Sequence, residues 1–220
     1  MEPAANFDPL VRSYRALERI AFGGDLEGAR FAFLDRLADC HSILILGEGD
    51  GRCLAQLLSV APNARVHCLD ASPAMLDRAE TRISGTGTRE RVTFECANAL
   101  DFNFASATYD AVVTLFFLDC FTTEQATGLV AKISLALKPG ARWLFADFVL
   151  PDSGLARTRA RLWLAGLYLF FRWQTGLRTR ELPPSEALSE AAGFQRSESK
   201  TFQWGLLRST IFQTKIAEAE

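Results

Sequence analysis

Short aliphatic runs alternate along the chain with longer stretches in which apolar residues recur every three or four positions. The runs at residues 42–46, 64–70, 92–96, 111–116 and 142–148 predict strands, and the period of the segments at 52–60, 73–83 and 123–137 predicts helices. Ser72 is placed to cap the second helix with Pro73 at its first position, and Lys138-Pro139-Gly140 closes the third. Alternation of this kind predicts an α/β fold, a parallel sheet with helices on both faces. Ahead of the first strand, NFDPLVRSYRALERIAFGGDLEGARFAFLDRL reads as two helices broken at Gly23 and Gly24. At the other end, PSEALSEAAGF reads as a last helix and QRSESKTFQWGLLRSTIFQTKI as a closing hairpin.

Composition narrows the class. With 220 residues, 49% of them hydrophobic, the chain suffices for one domain with a full core. Its formal charge of −2 offers no electrostatic footprint for nucleic acid. The five cysteines (Cys40, Cys53, Cys68, Cys96 and Cys120) are scattered without a CxxC pair, so they read as small buried hydrophobes in a reducing compartment and not as a disulfide framework or zinc site. No secretory leader is evident at the N-terminus, and the longest uncharged apolar stretch, LWLAGLYLFF at 162–171, falls well short of the ~18 residues a membrane span needs. The expected location is the cytoplasm.

Chemistry concentrates at ILILGEGDG, where glycines follow the first strand directly. Bare backbone lets a ligand approach closely, and the next helix offers its N-terminal amides. The second strand ends in Asp70, the position from which a carboxylate accepts hydrogen bonds from a ribose diol in nucleotide-binding α/β folds. The spacing is GxGxG, not the GxGxxG of dinucleotide folds, and Glu48 and Asp50 would repel a pyrophosphate. The ligand is therefore expected to be neutral or cationic beside them. A short-chain nicotinamide oxidoreductase is excluded on a second count, since Tyr14, Tyr109 and Tyr168 are followed four residues on by Glu18, Val113 and Arg172 instead of lysine.

Five segments in order carry a family resemblance: ILILGEGDG, CLDASPAML, CANALDF, YDAVVTLFFLDCF and LKPGARWLFADF. Together they resemble class I S-adenosylmethionine-dependent methyltransferases of the small-molecule type. The resemblance implies a Rossmann-like three-layer sandwich whose seven-stranded, mostly parallel sheet contains one antiparallel strand and has helices on both faces. It divides the chain into an N-terminal helical lid (1–40), an S-adenosylmethionine-binding core (41–150), a helical substrate cap (151–182) and a C-terminal helix with its hairpin (183–220). S-adenosylhomocysteine would be the product.

Carried onto this sequence, the resemblance implies that Gly47, Glu48 and Gly49 line the methionine portion and ribose, and that Asp70 holds the ribose hydroxyls. Ala71 and Met75 would pack near the adenine, Asn98 and the Ala99 amide would read its edge, and Leu115 and Phe116 would face the methionine end. Tyr14 would close the lid over the cofactor. The family often carries Asp where this chain has Ile45, so Glu48 or Asp50 is expected to supply the missing negative charge; it also commonly has Asp where Asn98 stands.

A sulfonium methyl is already activated, so transfer needs positioning, a dry pocket and at most one base. Asp119 is the candidate base, with Asp147 and Tyr168 behind it. The stretch after the fifth strand presents apolar and aromatic residues almost all round its helix, including Leu162, Trp163, Leu164 and Tyr168, with Arg157, Arg159 and Arg161 at one end. Such a helix is expected to be buried all round or to meet something apolar. As a cap it would, with Phe117, Trp163 and Tyr168, favour a small apolar or aromatic acceptor. Two alternatives stand beside this: a non-catalytic S-adenosylmethionine sensor or partner subunit, and a methyltransferase that touches the membrane surface transiently to reach a lipid-like substrate.

Overall fold

The structure, a computed structural model, describes residues 22–151, 153–175 and 182–215. Tyr14 lies outside the described residues, as does the side chain of Tyr168.

Seven strands form one sheet: β1 (Ser42–Leu46), β2 (Arg65–Asp70), β3 (Val92–Cys96), β4 (Tyr109–Leu115), β5 (Leu137–Phe148), β6 (Gln195–Phe202) and β7 (Leu207–Gln213). Their order is β3-β2-β1-β4-β5-β7-β6. The first five pair in parallel, whereas β7 runs antiparallel to both β5 and β6. The helices are α1 (Asp25–Phe31), α2 (Arg52–Val60), α3 (Pro73–Ile83), α4 (Thr123–Ala136), α5 (Gly154–Thr175) and α6 (Ser185–Ala191).

Alternation along the strands sorts their side chains into two layers. Ile43 and Ile45 of β1, with Val66, Cys68, Val113 and Leu144, pack on Leu54 and Leu57 of α2 and Ala79 and Ile83 of α3. Leu44 and Leu46 turn to the other face, where Val112, Trp143, Phe145 and Phe212 meet Leu129, Val130 and Ile133 of α4. Ser72 caps α3 by accepting the Met75 amide at 3.2 Å, with Pro73 in the first turn, and Thr122 and Gln125 form a reciprocal capping box at α4. His67 sits within β2, a packed imidazole whose Nδ1 lies 2.8 Å from the Tyr109 hydroxyl.

Beyond shifts of one or two residues at the ends of β2 and β4, three features stand out against expectation. The helix expected to run to 137 stops at Ala136, and the chain enters β5 at once; the ladder pairs Tyr109 with Leu137 and resumes at Ala111 with Arg142, so Lys138–Ala141 bulge out, with Gly140 at φ +75°. The segment after Gly24 forms only α1, followed by a 3-10 turn at Leu34–Leu37. Finally, α5 is not buried all round. Ala160 and Leu164, one turn apart, pack on Phe22, Leu26, Ala29, Leu206 and Leu207, while Leu155 and Leu162 on its other side are exposed. No helix among the described residues is long and apolar enough to cross a membrane.

Candidate active site

The carboxyl ends of β1 to β5 converge on one rim, where α/β sheets bind ligands. The glycines there divide the work. A Cβ on Gly51 would lie 2.5 Å from the Ala79 Cα, so this glycine lets α2 and α3 pack. A Cβ on Gly47 would lie 2.5 Å from Cδ2 of Phe117, whose ring covers the start of the loop. Only at Gly49, at φ +71°, does the Cβ direction meet nothing within 4 Å. The bare backbone facing open space is therefore at Gly49.

Asp70 ties that loop to the end of β2. One carboxylate oxygen accepts the Gly49 amide at 3.1 Å and the other the Ser72 amide at 2.9 Å. Ala71 beside it is exposed, and Met75 is buried one turn into α3. Past β3, Asn98 stabilises its own turn: its Oδ1 accepts the Leu100 amide at 3.1 Å and its Nδ2 donates to Asp101 at 3.1 Å, with Ala99 buried between. Leu115 is buried at the end of β4, and Phe116 leaves the strand at φ +55°, rare for an aromatic residue, with its amide held by the Ala146 carbonyl at 2.7 Å. Rings then follow one another: Phe116 on Phe148 (centroids 5.2 Å apart), Phe148 on Phe22 (5.7 Å) and Phe22 on Trp163 of α5 (6.1 Å).

Four further acids border the rim in different states. Asp50 is paired with Arg52 at 2.9 Å and Arg82 at 3.2 Å, so two cations already take up its charge. Glu48 points inward: Oε1 accepts the Leu54 amide at 2.9 Å, while Oε2 is buried without a hydrogen-bond partner among the described residues. Burial pushes its pKa up to about 8, with the nearby Asp50 and Asp70 charges adding to the rise. Asp119, in the turn after β4, and Asp147, near the end of β5, are held above the ordinary carboxylate range, first by burial and then, at Asp147, by the Asp119 charge. The Phe148 amide donates to Asp147 Oδ1 at 2.8 Å, and Oδ2 is buried without a hydrogen-bond partner among the described residues. The Cys120 thiol lies 3.7 Å from Asp119 Oδ1.

The family model described as methyltransferase domain matches residues 43–140, the segment that carries the glycine loop, Asp70, Asn98 and Asp119. Residues 43–140 are a class I S-adenosylmethionine-dependent methyltransferase domain. A demethylmenaquinone methyltransferase from Clavibacter sepedonicus is 31% identical over 156 residues, 70% of this chain and 61% of that protein. Its counterpart from Symbiobacterium thermophilum is 26% identical over 155 residues, 69% and 61%. Among solved structures, an O-methyltransferase family protein from Burkholderia thailandensis superposes with a TM-score of 0.69 at 22% identity, covering 96% of this chain and 59% of that one. The chain thus spans about three-fifths of the length of these relatives.

S-adenosylmethionine is the cofactor of such domains, and the rim of this methyltransferase domain suits it. The open face of Gly49, the Asp70 carboxylate and the N-terminus of α2 present a diol acceptor beside free backbone approach. Two participants were given no role by the motifs. Arg30 of α1 brings its guanidinium within 5.4 Å of the Phe116 ring centroid, close enough to act on Glu48, Asp50 and Asp119. Phe148 links Phe116 to the helical layer. Arg30 stands in a segment with no motif, and only the docking of α1 over the rim brings it there.

Proposed function

We propose that the chain transfers a methyl group from S-adenosylmethionine to a small apolar or aromatic acceptor. The observation that carries this reading is the series of rings running from Phe116 at the rim to Trp163 on α5, an apolar wall beside the glycine loop. Two relatives named as demethylmenaquinone methyltransferases support the same class of acceptor.

When bound, the cofactor supplies a sulfonium methyl already activated for in-line attack. The roles assigned to the chain are these. Asp70 accepts the ribose hydroxyls while holding the Gly49 amide, Gly49 gives the backbone close approach, and Gly47 lines the methionine portion from beneath the Phe117 ring. Ala71, Met75, Asn98 and Ala99 flank the adenine, and Leu115 and Phe116 face the methionine end, with the lid residue Tyr14 above. Glu48 balances the cationic end of the cofactor, giving up the proton that its buried position favours when no cation is near. Phe117, Trp163 and Tyr168 contact the acceptor, with α5 as the cap. Asp119 takes the acceptor's proton on its carboxylate; burial raises its proton affinity, which suits a base for a hydroxyl or amine. A sensor that only bound the cofactor would have no use for that buried acid, which favours the enzyme. The free thiols fit a reducing, cytoplasmic setting.

Isothermal titration of the full chain with S-adenosylmethionine and S-adenosylhomocysteine, with NAD as control, tests the cradle. Binding on the order of micromolar that weakens in Asp70→Ala supports it, and a screen of apolar phenols, thiols and amines with labelled cofactor then tests transfer. No binding by folded protein would overturn the reading.

A further inference from the structure

The exposed side of α5 and the turn between β6 and β7 form one surface. In that turn Gln203 (φ +46°), Trp204 (φ +59°) and Gly205 (φ +85°) are all left-handed, and the conformation aims the Trp204 ring outward, 80% exposed. Consecutive non-glycine residues held there are uncommon and persist where the surroundings enforce them. Leu206 anchors the turn by accepting the Val149 amide at 2.8 Å. On α5, Leu155 (90% exposed), Leu162 (72%) and Trp163 (36%) face outward, and a shallow groove between the helix and the turn is lined by Arg159, Ala160, Trp163, Gln203, Trp204 and Leu206.

The charged side chains that α5 brings to this surface are all cationic. The Arg159 guanidinium lies 5.4 Å from the Trp204 ring centroid, Arg161 is exposed one turn from Arg157, and Lys200 lies over Phe202 at 5.2 Å on β6; α5 carries no acidic residue. Exposed leucines and tryptophans interleaved with arginines are what an anionic lipid surface retains. A second copy of the chain would set arginine against arginine across a two-fold axis. Position strengthens the argument. Leu207 pairs with Phe148, so the Trp204 turn lies at the carboxyl end of β5, the same end as the glycine loop.

We propose that α5 and the β6–β7 turn dock on an anionic lipid bilayer, and that the rings Trp163, Phe22, Phe148 and Phe116 lead an apolar acceptor from the lipid to the rim. The docking stands on the surface alone; the delivery of an acceptor rests on the methyltransferase reading above.

Co-sedimentation of the full chain with vesicles of phosphatidylcholine, with and without phosphatidylglycerol, tests it. The protein should pellet with the anionic vesicles only, and release with salt. Trp204→Asn, chosen because asparagine tolerates the left-handed backbone, and Arg159→Glu should each weaken partition by about tenfold, with S-adenosylmethionine affinity and melting temperature unchanged. No partition, or partition that neither substitution alters, would overturn the docking. So would a dimer in sedimentation velocity that dissociates in Trp204→Asn, since the surface would then belong to a second copy. Vesicle binding without cofactor binding would instead sink the methyltransferase reading and leave the docking in place.

Discussion

The Phe117 ring occupies the space that a side chain on Gly47 would need, with Cδ2 2.5 Å from the Cβ position. Motifs after β1 and β4 are thus one packed unit, and the glycine serves the ring as much as any ligand.

The three glycines of the loop should therefore fail differently as alanines. Gly51→Ala meets the backbone of α3 at 2.5 Å and should destabilise most, by about 3 kcal/mol or more. Gly47→Ala meets a ring that can turn, at a cost of about 2 kcal/mol, and replacing Phe117 with leucine in the same protein should recover part of it. Gly49→Ala has open space and bears only the left-handed penalty, about 1–2 kcal/mol, yet should lose the most S-adenosylmethionine affinity. Thermal melting and calorimetric titration of the three proteins check the two rankings, which should run in opposite order.

Asp70 should show two separable effects. Its carboxylate oxygens each accept a backbone amide, from Gly49 and Ser72, so Asp70→Ala should lower stability by about 1–3 kcal/mol even without cofactor. Asp70→Asn leaves one oxygen to accept and should recover part of the stability, but its amide cannot accept from a diol, so cofactor binding should stay weakened by about tenfold or more. Urea unfolding and titration on both variants separate the roles.

Much of this was legible in the chain. The strands at Ser42–Leu46 and Val92–Cys96 and the helices Arg52–Val60 and Pro73–Ile83 begin and end where the sequence predicts, because each is bounded by a local signal: the glycines, Ser72 with Pro73, or a polar turn. The bulge after Leu137 was not, since Lys138-Pro139-Gly140 is as good a helix terminator as a kink, and only the pairing with Tyr109 decides. The exposure of Leu155 and Leu162 was hidden for a similar reason. An apolar helix says that something must cover it, while α1 and β7 cover one side alone. The pairing of Asp119 with Asp147 comes from β4 lying beside β5, a contact no local pattern encodes.

Glu48 should make the protein less stable as pH rises. Its pKa in the folded chain is about 8 against an ordinary 4.5, so between those values the folded state holds a proton that the unfolded state has released. Its share of stability is full below about 4.5 and is lost as pH rises through about 8, a change of a few kcal/mol. Asp119 and Asp147, also raised, act in the same sense. Glu48→Gln should flatten much of the slope of melting temperature between pH 5 and 8 while leaving the Leu54 amide an acceptor. If the slope is unchanged, Glu48 is ionised in the folded protein.

Asp119 and Asp147 should separate in kinetics once an acceptor is found. Asp119→Asn removes the proposed proton acceptor and should lower kcat by about 10²–10⁴ with the cofactor affinity preserved, and should abolish the acidic limb of the pH–rate profile. Asp147, buried and accepting the Phe148 amide, is held protonated beside the Asp119 charge: Asp147→Asn keeps that site neutral and should leave the limb where it is. A limb moved to lower pH by Asp147→Asn would show Asp147 to be ionised beside Asp119. One that persists in Asp119→Asn would assign the base elsewhere, and an acceptor such as a thiolate, which has no proton to lose, would need none.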